Sequence, residues 1–226
     1  GHAGGSAHAR PEEAAEQLRE SLAQQAVMFL YAARIADAAA TLREARSLVA
    51  DDPASHAARL VQSCSAQLCL FERDNDQAIA LATPVLAQAE RDGAVAAVVS
   101  CLKTIGRAQL SLERFDDGIA TLERALALAL GANENRLASQ VFANLGAGHV
   151  DAFRLEQAQA WLRKGIDFCT ERDLDATRLF QTAWLSHALL LAGRWDEAAA
   201  AAHAVIAEPK ATVIARIAAL VALGRL

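Results

Sequence analysis

Small and aliphatic side chains return along this chain every 40 residues. Ala38, Ala78, Gly118, Ala158 and Ala198 share one register, and all five are small. Twelve residues before each stand Ala26, Ala66, Gly106, Gly146 and Ser186, small again. Eight before each stand Leu30, Leu70, Leu110, Val150 and Leu190, always aliphatic. Four before each stand Arg34, Asp74, Arg114, Arg154 and Arg194, basic in four of five, and acidic or amide residues such as Asp116, Asp117, Asp196 and Glu197 follow. A strict register over five units marks an internal repeat of supersecondary size.

Each unit reads as helix, short turn, helix. The turn falls at "LERFDD", "AFRLEQ" and "AGRWDE", where acidic residues open the second helix and suit its N-terminal dipole. The connections between units are expected to be longer, because "VADDPAS", "RDGA", "LGANEN", "TERDLD" and "AEPKAT" hold the helix breakers. Two antiparallel helices joined by a tight turn cross closely. Gly or Ala at Gly106, Gly118, Gly146, Ala158 and Ala198 lets the backbones approach, while aliphatic neighbours fill the grooves. The alanine run of "AGRWDEAAAAAHAVIA" is expected to pack on both sides, against its partner helix and the next unit.

Composition agrees. The chain is 226 residues long and 54% hydrophobic but only 5% aromatic, with four prolines, which favours helix throughout. A net charge of -5 argues against gripping nucleic-acid phosphates. Cys64, Cys69, Cys101 and Cys169 lack metal-type spacing and read as small buried hydrophobes of a reducing compartment. The apolar stretch "LAQQAVMFLYAARIADAAA" is broken by Gln24, Gln25, Arg34 and Asp37, so a cytoplasmic protein is expected and a bilayer span is not. Residues 1–10, "GHAGGSAHAR", read as a linker or an expression remnant. Residues 11–226 read as one all-α solenoid domain, with units at roughly 19–58, 59–98, 99–138, 139–178 and 179–212 and a partial unit at 213–226.

The layout resembles the tetratricopeptide repeat (TPR). The third unit matches best, with Leu102, Ile105, Gly106, Phe115, Gly118, Ile119, Leu122, Ala125 and Leu126; the fourth follows with Phe142, Leu145, Gly146, Leu155, Ala158, Leu162 and Gly165. The period is longer than the family's usual one, which implies longer second helices or loops, and Gln25, Gln62 and Ser65 make the first two units degenerate. The resemblance implies a right-handed superhelix of antiparallel helix pairs. Residues 85–226, through "FCTERDLD", "GRWDEAA" and "ALVALGRL", also resemble the helical-repeat region of large bacterial LuxR-type (ATPase-linked, MalT-like) transcriptional regulators. Related arrays occur in ATPase-linked adenylate cyclases. Neither a G-x-x-x-x-G-K-[ST] phosphate loop nor a basic recognition helix occurs in this sequence. "ATVIARIAALVALGRL" reads as the first helix of a sixth unit whose Val213, Ile214, Ile217, Leu220 and Val221 need a partner. A longer parent protein, or a homodimer through this helix, would cover them.

Candidate chemistry is sparse. His149, Asp151 and Cys101 are imaginable as a nucleophile set, but no strained turn or oxyanion-type glycine loop accompanies them, so His149 is expected against a neighbouring helix and Asp151 in solvent. Glu12, Glu13, Glu16 and Glu20 are expected on a solvated face. Trp161, Trp184 and Trp195 are expected in the core or the groove wall, and His187 and His203 lack a third metal ligand. First helices line the concave face of such arrays. Lys103, Arg107, Gln140, Asn144, Trp184 and His187 are therefore the expected groove residues, suited to an acidic peptide or carboxylate, with Ala143 on the same concave side. The expected function is a non-catalytic sensor region that binds a protein, a peptide or a small effector and uses no cofactor or metal, with no nucleic-acid or membrane contact of its own. A free-standing scaffold is the competing expectation.

Overall fold

The computed structural model describes residues 11–50, 52 and 55–226, and side chains from Ala15 onward. The expected linker, residues 1–10, lies outside the described residues, as do the side chains of Glu12 and Glu13. Eleven helices follow one another: α1 Pro11–Tyr31, α2 Ile35–Val49, α3 His56–Phe71, α4 Asn75–Arg91, α5 Val95–Ser111, α6 Phe115–Gly131, α7 Asn135–Asp151, α8 Leu155–Thr170, α9 Asp175–Leu191, α10 Trp195–Ala207 and α11 Val213–Leu223. No strand occurs among the described residues. The fold is an all-α, TPR-like solenoid of five helix pairs plus α11 as the first helix of a sixth.

The small-residue register is the crossing register. All ten sites, from Ala26 and Ala38 to Ser186 and Ala198, are buried. In the third pair, a Cβ on Gly106 would lie 2.8 Å from Leu122 Cγ and 3.1 Å from the Gly118 carbonyl; one on Gly118 would lie 2.9 Å from the Gly106 carbonyl. Backbone meets backbone there, so no side chain fits without moving a helix. In the fourth pair Leu162 fills the space over Gly146. Second helices bury a stripe at i, i+4, i+7 and i+11, such as Ala38, Leu42, Ala45 and Val49 in α2 or Ala158, Leu162, Gly165 and Cys169 in α8. That spacing keeps one face of a 3.6-residue helix on the core.

One turn serves nearly every junction. Ala33, Arg73, Gly93, Glu113, Asn133, Phe153, Asp173 and Gly193 all have φ between 54° and 75°. The following N–H donates to the carbonyl five residues back, as in Arg34 to Phe29 (2.8 Å), Arg114 to Gln109 (2.9 Å) and Glu134 to Ala129 (2.9 Å). This is the left-handed helix stop that satisfies orphan carbonyls. The connections "RDGA", "LGANEN" and "TERDLD", expected to be long, close with the same turn as the junctions inside the pairs, because their polar residues are absorbed into helix ends. The α8–α9 connection is one residue longer than the other turns, and only the α2–α3 and α10–α11 connections are longer than that. The 40-residue period thus resides in helices of 16 to 17 residues across the middle pairs. Divisions at 59, 99, 139 and 179 accordingly fall about one turn inside α3, α5, α7 and α9. They follow the crossing sites, not the caps.

The recurring arginine also has a local cause. Arg34, Arg114 and Arg194 sit at N-caps and pair with the acid three residues on: Asp37 at 2.7 Å, Asp117 at 2.8 Å and Glu197 at 2.6 Å. Arg154 instead reaches back to Asp116 of the preceding pair, at 2.8 Å. Such exposed pairs are worth at most about 1 kcal/mol each, so they set register more than stability.

First helices pack on their own partners, on the preceding second helix and on the next first helix, whereas second helices flank first helices. That stacking places α1, α3, α5, α7, α9 and α11 along the inner wall of the superhelix. The alanine run of α10 behaves as expected, with Ala198 and Ala202 wholly buried and α10 packed between α9 and α11. Trp161 packs on Phe142 with ring centroids 6.0 Å apart. Trp195 does not join a core; as the first residue of α10 it is 65% exposed. Glu16 does more than face solvent, since its Oε1 accepts the Ala57 N–H at 3.0 Å and so caps α3.

Candidate binding surface on the inner wall

Lys103 on α5 is not the open groove donor that its register suggests. It is 8% exposed, the only buried Lys, Arg, Asp or Glu among the described residues. Its Nζ donates to Gln140 Oε1 on α7 at 2.5 Å. Burial first, then the nearby Arg136 guanidinium, push the ammonium down to about 8, with Cys64 on α3 opposing. The burial arises because α5 is flanked by α3, α4, α6 and α7, so its inward stripe is partly covered by its neighbours. Ala143, placed by the register on the open concave side, is likewise buried at 2% exposure.

The other expected groove residues divide into two sets. Arg107 on α5 pairs with Asp151 at the end of α7, 3.3 Å away, so both tie adjacent units together. Asn144, one turn beyond Gln140 on α7, is half-buried and makes no side-chain hydrogen bond among the described residues. Trp184 and His187 belong to α9, with ring centroids 5.7 Å apart and Phe180 at 6.4 Å from Trp184. His187 Nε2 lies 2.8 Å from the Ala218 carbonyl of α11, so it joins α9 to α11. The Trp184 indole N–H is buried without a partner. Lys103, Gln140 and Arg107 are thus brought together across α5 and α7, and Trp184 with His187 across α9 and α11.

Sequence reading missed Arg136 and Tyr31. Arg136 is exposed in the first turn of α7, and its charge acts on Lys103 and on Tyr31 at the end of α1. Crowding by protein raises the Tyr31 phenol, and Arg136 opposes that rise. The signal for Arg136 was present: it stands four residues before Gln140, on the same helix face. No signal marked Tyr31, because its neighbourhood depends on how four first helices wind.

The nucleophile set does not form a reactive site. Burial pushes the Cys101 thiol up to about 11, so little thiolate exists at neutral pH. His149 is 5% exposed with both ring nitrogens unpaired, and burial, then Arg154, lower its pKa. All four cysteines are free and buried. Among the described residues no group of three or more metal-ligating side chains converges, and no helix is long and apolar enough to cross a membrane. On the outer side, crevices of about 250 and 330 Å³ open between α2 and α4 above α3, both lined by Arg46 and Leu81.

No protein-family model matches the sequence, and no curated protein does. Solved structures do match in fold. NprR in complex with its cognate peptide NprX superposes with a TM-score of 0.71 at 13% identity, covering 94% of this chain and 64% of that one. A signal-transduction ATPase with a tetratricopeptide repeat sensor from Pyrococcus horikoshii gives 0.63 at 15% identity, covering 90% of this chain and 32% of that one. A Podosopora anserina protein with kinesin light chain TPR-like repeats gives 0.59 at 17% identity, covering 86% and 95%. At these identities the likeness is one of fold: the chain has the fold of a TPR-like helical-repeat solenoid.

Proposed function

We propose that the chain is the partner- or effector-sensing repeat region of a LuxR-type transcriptional regulator, a cytoplasmic module that binds an extended protein or peptide and catalyses nothing itself. The carrying observation is the inner wall. Six first helices pack in succession, and on two of them, α5 and α7, Arg107, Gln140 and Asn144 are half-buried polar neighbours, the kind of surface with which solenoids read extended ligands. The sequence resemblance over residues 85–226 supplies the regulator context. The fold likeness supports it too, since one matching structure holds a cognate peptide and another is a repeat sensor attached to an ATPase. The competing reading is a free-standing scaffold that joins other proteins, since the fold likeness extends equally to the TPR-like repeats of a kinesin light chain.

Two tests apply. The gene around this segment should encode an ATPase module before it and a helix-turn-helix after it; a lone reading frame favours the scaffold. Lys103 is buried, so charge reversal there would disturb packing, and the binding test uses Arg107→Ala with Asn144→Ala instead. This pair should weaken capture of the native partner from host extract at least tenfold while helicity is kept. Equal capture would move the site off the inner wall.

A further inference from the structure

Phe153 occupies a backbone position that suits it poorly. It stands in the α7–α8 turn at φ 55°, the left-handed region that disfavours a bulky side chain, whereas the equivalent α9–α10 turn has Gly193 at φ 75°. Core burial does little to offset that local strain, because Phe153 is 74% exposed. One unit further, Trp195 opens α10 and is 65% exposed, and Leu191 at the end of α9 is exposed as well. Phe153 and Trp195 are the two most exposed Phe, Tyr or Trp residues among those described. They share one edge of the solenoid. Val150, three residues before Phe153, belongs to the same buried cluster as Leu189 and Ala198 on either side of Trp195. Arg194, directly before Trp195, donates to Gln159 Oε1 of α8 at 2.7 Å and so ties the two units at this edge.

What these two rings lack is a cation. Three partly exposed rings elsewhere are covered by the chain's own: Arg34 lies 4.5 Å from the Phe29 centroid, Lys164 5.0 Å from Trp161 and Arg172 3.9 Å from Phe168. Among the described residues none covers Phe153 or Trp195. The arginines next to them in sequence are engaged elsewhere, Arg154 with Asp116 at 2.8 Å and Arg194 with Glu197 at 2.6 Å. Exposed carboxylates follow each ring, Glu156 three residues after Phe153 and Asp196 directly after Trp195, and neither has an ion-pair partner among the described residues. An open π face with an unpaired carboxylate close along the chain attracts an ammonium or guanidinium through both groups. A strained, exposed aromatic that the fold does not use points to a contact outside the fold. We propose that this turn edge docks a basic segment of a protein partner, with arginine or lysine heads seated over Phe153 and Trp195 and paired with Glu156 and Asp196. The chain's net charge of -5 steers such a segment toward it. This surface is separate from the inner wall and does not depend on it.

The test follows the Trp195 indole N–H by NMR while the chain is titrated with a capped peptide of alternating arginine and glycine. The Trp195→Phe spectrum assigns the resonance. Saturable shifts are expected, and the affinity should fall as salt is raised. The same peptide with citrulline for arginine keeps the shape and loses the charge; it and a glutamate version should bind at least tenfold more weakly. Phe153→Gly should weaken binding of the arginine peptide at least tenfold. Its melting temperature should be no lower than the parent's, because glycine suits the left-handed position. Asp196→Asn with Glu156→Gln should weaken binding at least threefold and flatten its salt dependence. Phe71→Ala, which removes an exposed ring at the end of α3, should leave binding unchanged, and so should the inner-wall pair Arg107→Ala with Asn144→Ala. No saturable shift, unchanged binding in Phe153→Gly, or equal binding of the citrulline peptide would overturn the proposal. A Phe153→Gly chain that melts lower would overturn it too, by assigning the ring to the fold. So would a Trp195 shift that grows with protein concentration in the absence of peptide, because the edge would then belong to a second copy of this chain.

Discussion

The third and fourth helix pairs differ from the first and second in what stands at their crossings, glycine in the former and only alanine in the latter. At the α5–α6 crossing glycine faces glycine, and the carbonyls of Gly106 and Gly118 occupy the places their neighbours' Cβ atoms would take. At the corresponding sites α1–α2 and α3–α4 carry Ala26, Ala38, Ala66 and Ala78, all buried with their methyls accommodated. Beside them stand polar residues: Arg46 donates to Ser65 Oγ at 3.1 Å, and Gln62 donates to the Leu81 carbonyl at 3.0 Å. Crevices of about 250 and 330 Å³ remain there. One repeat therefore tolerates two solutions. Where glycine stands, backbone or a buried leucine fills the crossing; where alanine stands, polar bridges beside open crevices join the helices.

The largest expected effects lie at the glycine crossings. Gly106→Leu and Gly146→Leu should each destabilise by about 3 kcal/mol or more through overpacking, since backbone or the buried Leu162 blocks the new side chain. Gly106→Ala should still cost about 1–3 kcal/mol, whereas Ala66→Gly should cost only about 0.5–1 kcal/mol, the helix-propensity difference. Chemical denaturation of both variants checks this. Equal losses would erase the distinction between the halves.

A second expectation sharpens the contrast at the inner wall. Lys103 titrates near 8 folded against 10.5 for an unperturbed lysine. Its charge thus opposes folding below the lower value, and the penalty fades as pH rises between the two. Lys103→Met should stabilise the chain by about 1–3 kcal/mol at pH 7, allowing for the lost Gln140 bond. The advantage should shrink as pH rises toward 10.5, as read from melting temperatures across that range. A destabilised variant would show that the Lys103–Gln140 bridge serves packing alone.

His149 gives a smaller, acid-side effect. Its folded pKa lies below the ordinary 6.5, so the unfolded chain takes up the proton first and stability falls on acidification below that value. The slope from this group is at most about 1.4 kcal/mol per pH unit. His149→Leu should flatten the melting profile between pH 7 and 5, and an unchanged profile would assign the acid sensitivity elsewhere. The smallest effect is expected at the polar seam. Arg46→Ala should change stability by less than about 1 kcal/mol, because the guanidinium is already solvated by an open crevice. A larger loss in calorimetry would make that seam as tight as the glycine crossings.

The helix pairs, their crossing sites and the buried alanine run were legible in the sequence. Each follows from local periodicity: a 3.6-residue helix buries i, i+4 and i+7, and a tight turn makes the crossing residues small. The uniform turn was only half legible. Gly93 and Gly193 announce a left-handed residue, but Ala33, Glu113 and Phe153 adopt the same φ without the residue type that favours it. Packing of long helices on both sides imposes it.

The amino-acid sequence by itself thus determined the repeat, its helical content and its register, because those depend on residues within one or two turns of each other. It also nominated Lys103, Arg107 and Gln140, because polar residues on a first helix point inward. Only the tertiary structure decided that Lys103 is buried, that Arg107 and His187 are already engaged, and that Arg136 shares a neighbourhood with Tyr31. The physical reason is separation along the chain. Lys103 meets Gln140 37 residues on, and Arg107 meets Asp151 44 residues on, so which side chains meet depends on the pitch at which successive units stack. A small rotation at each junction accumulates over several units, and no local pattern of apolar and polar residues encodes that sum.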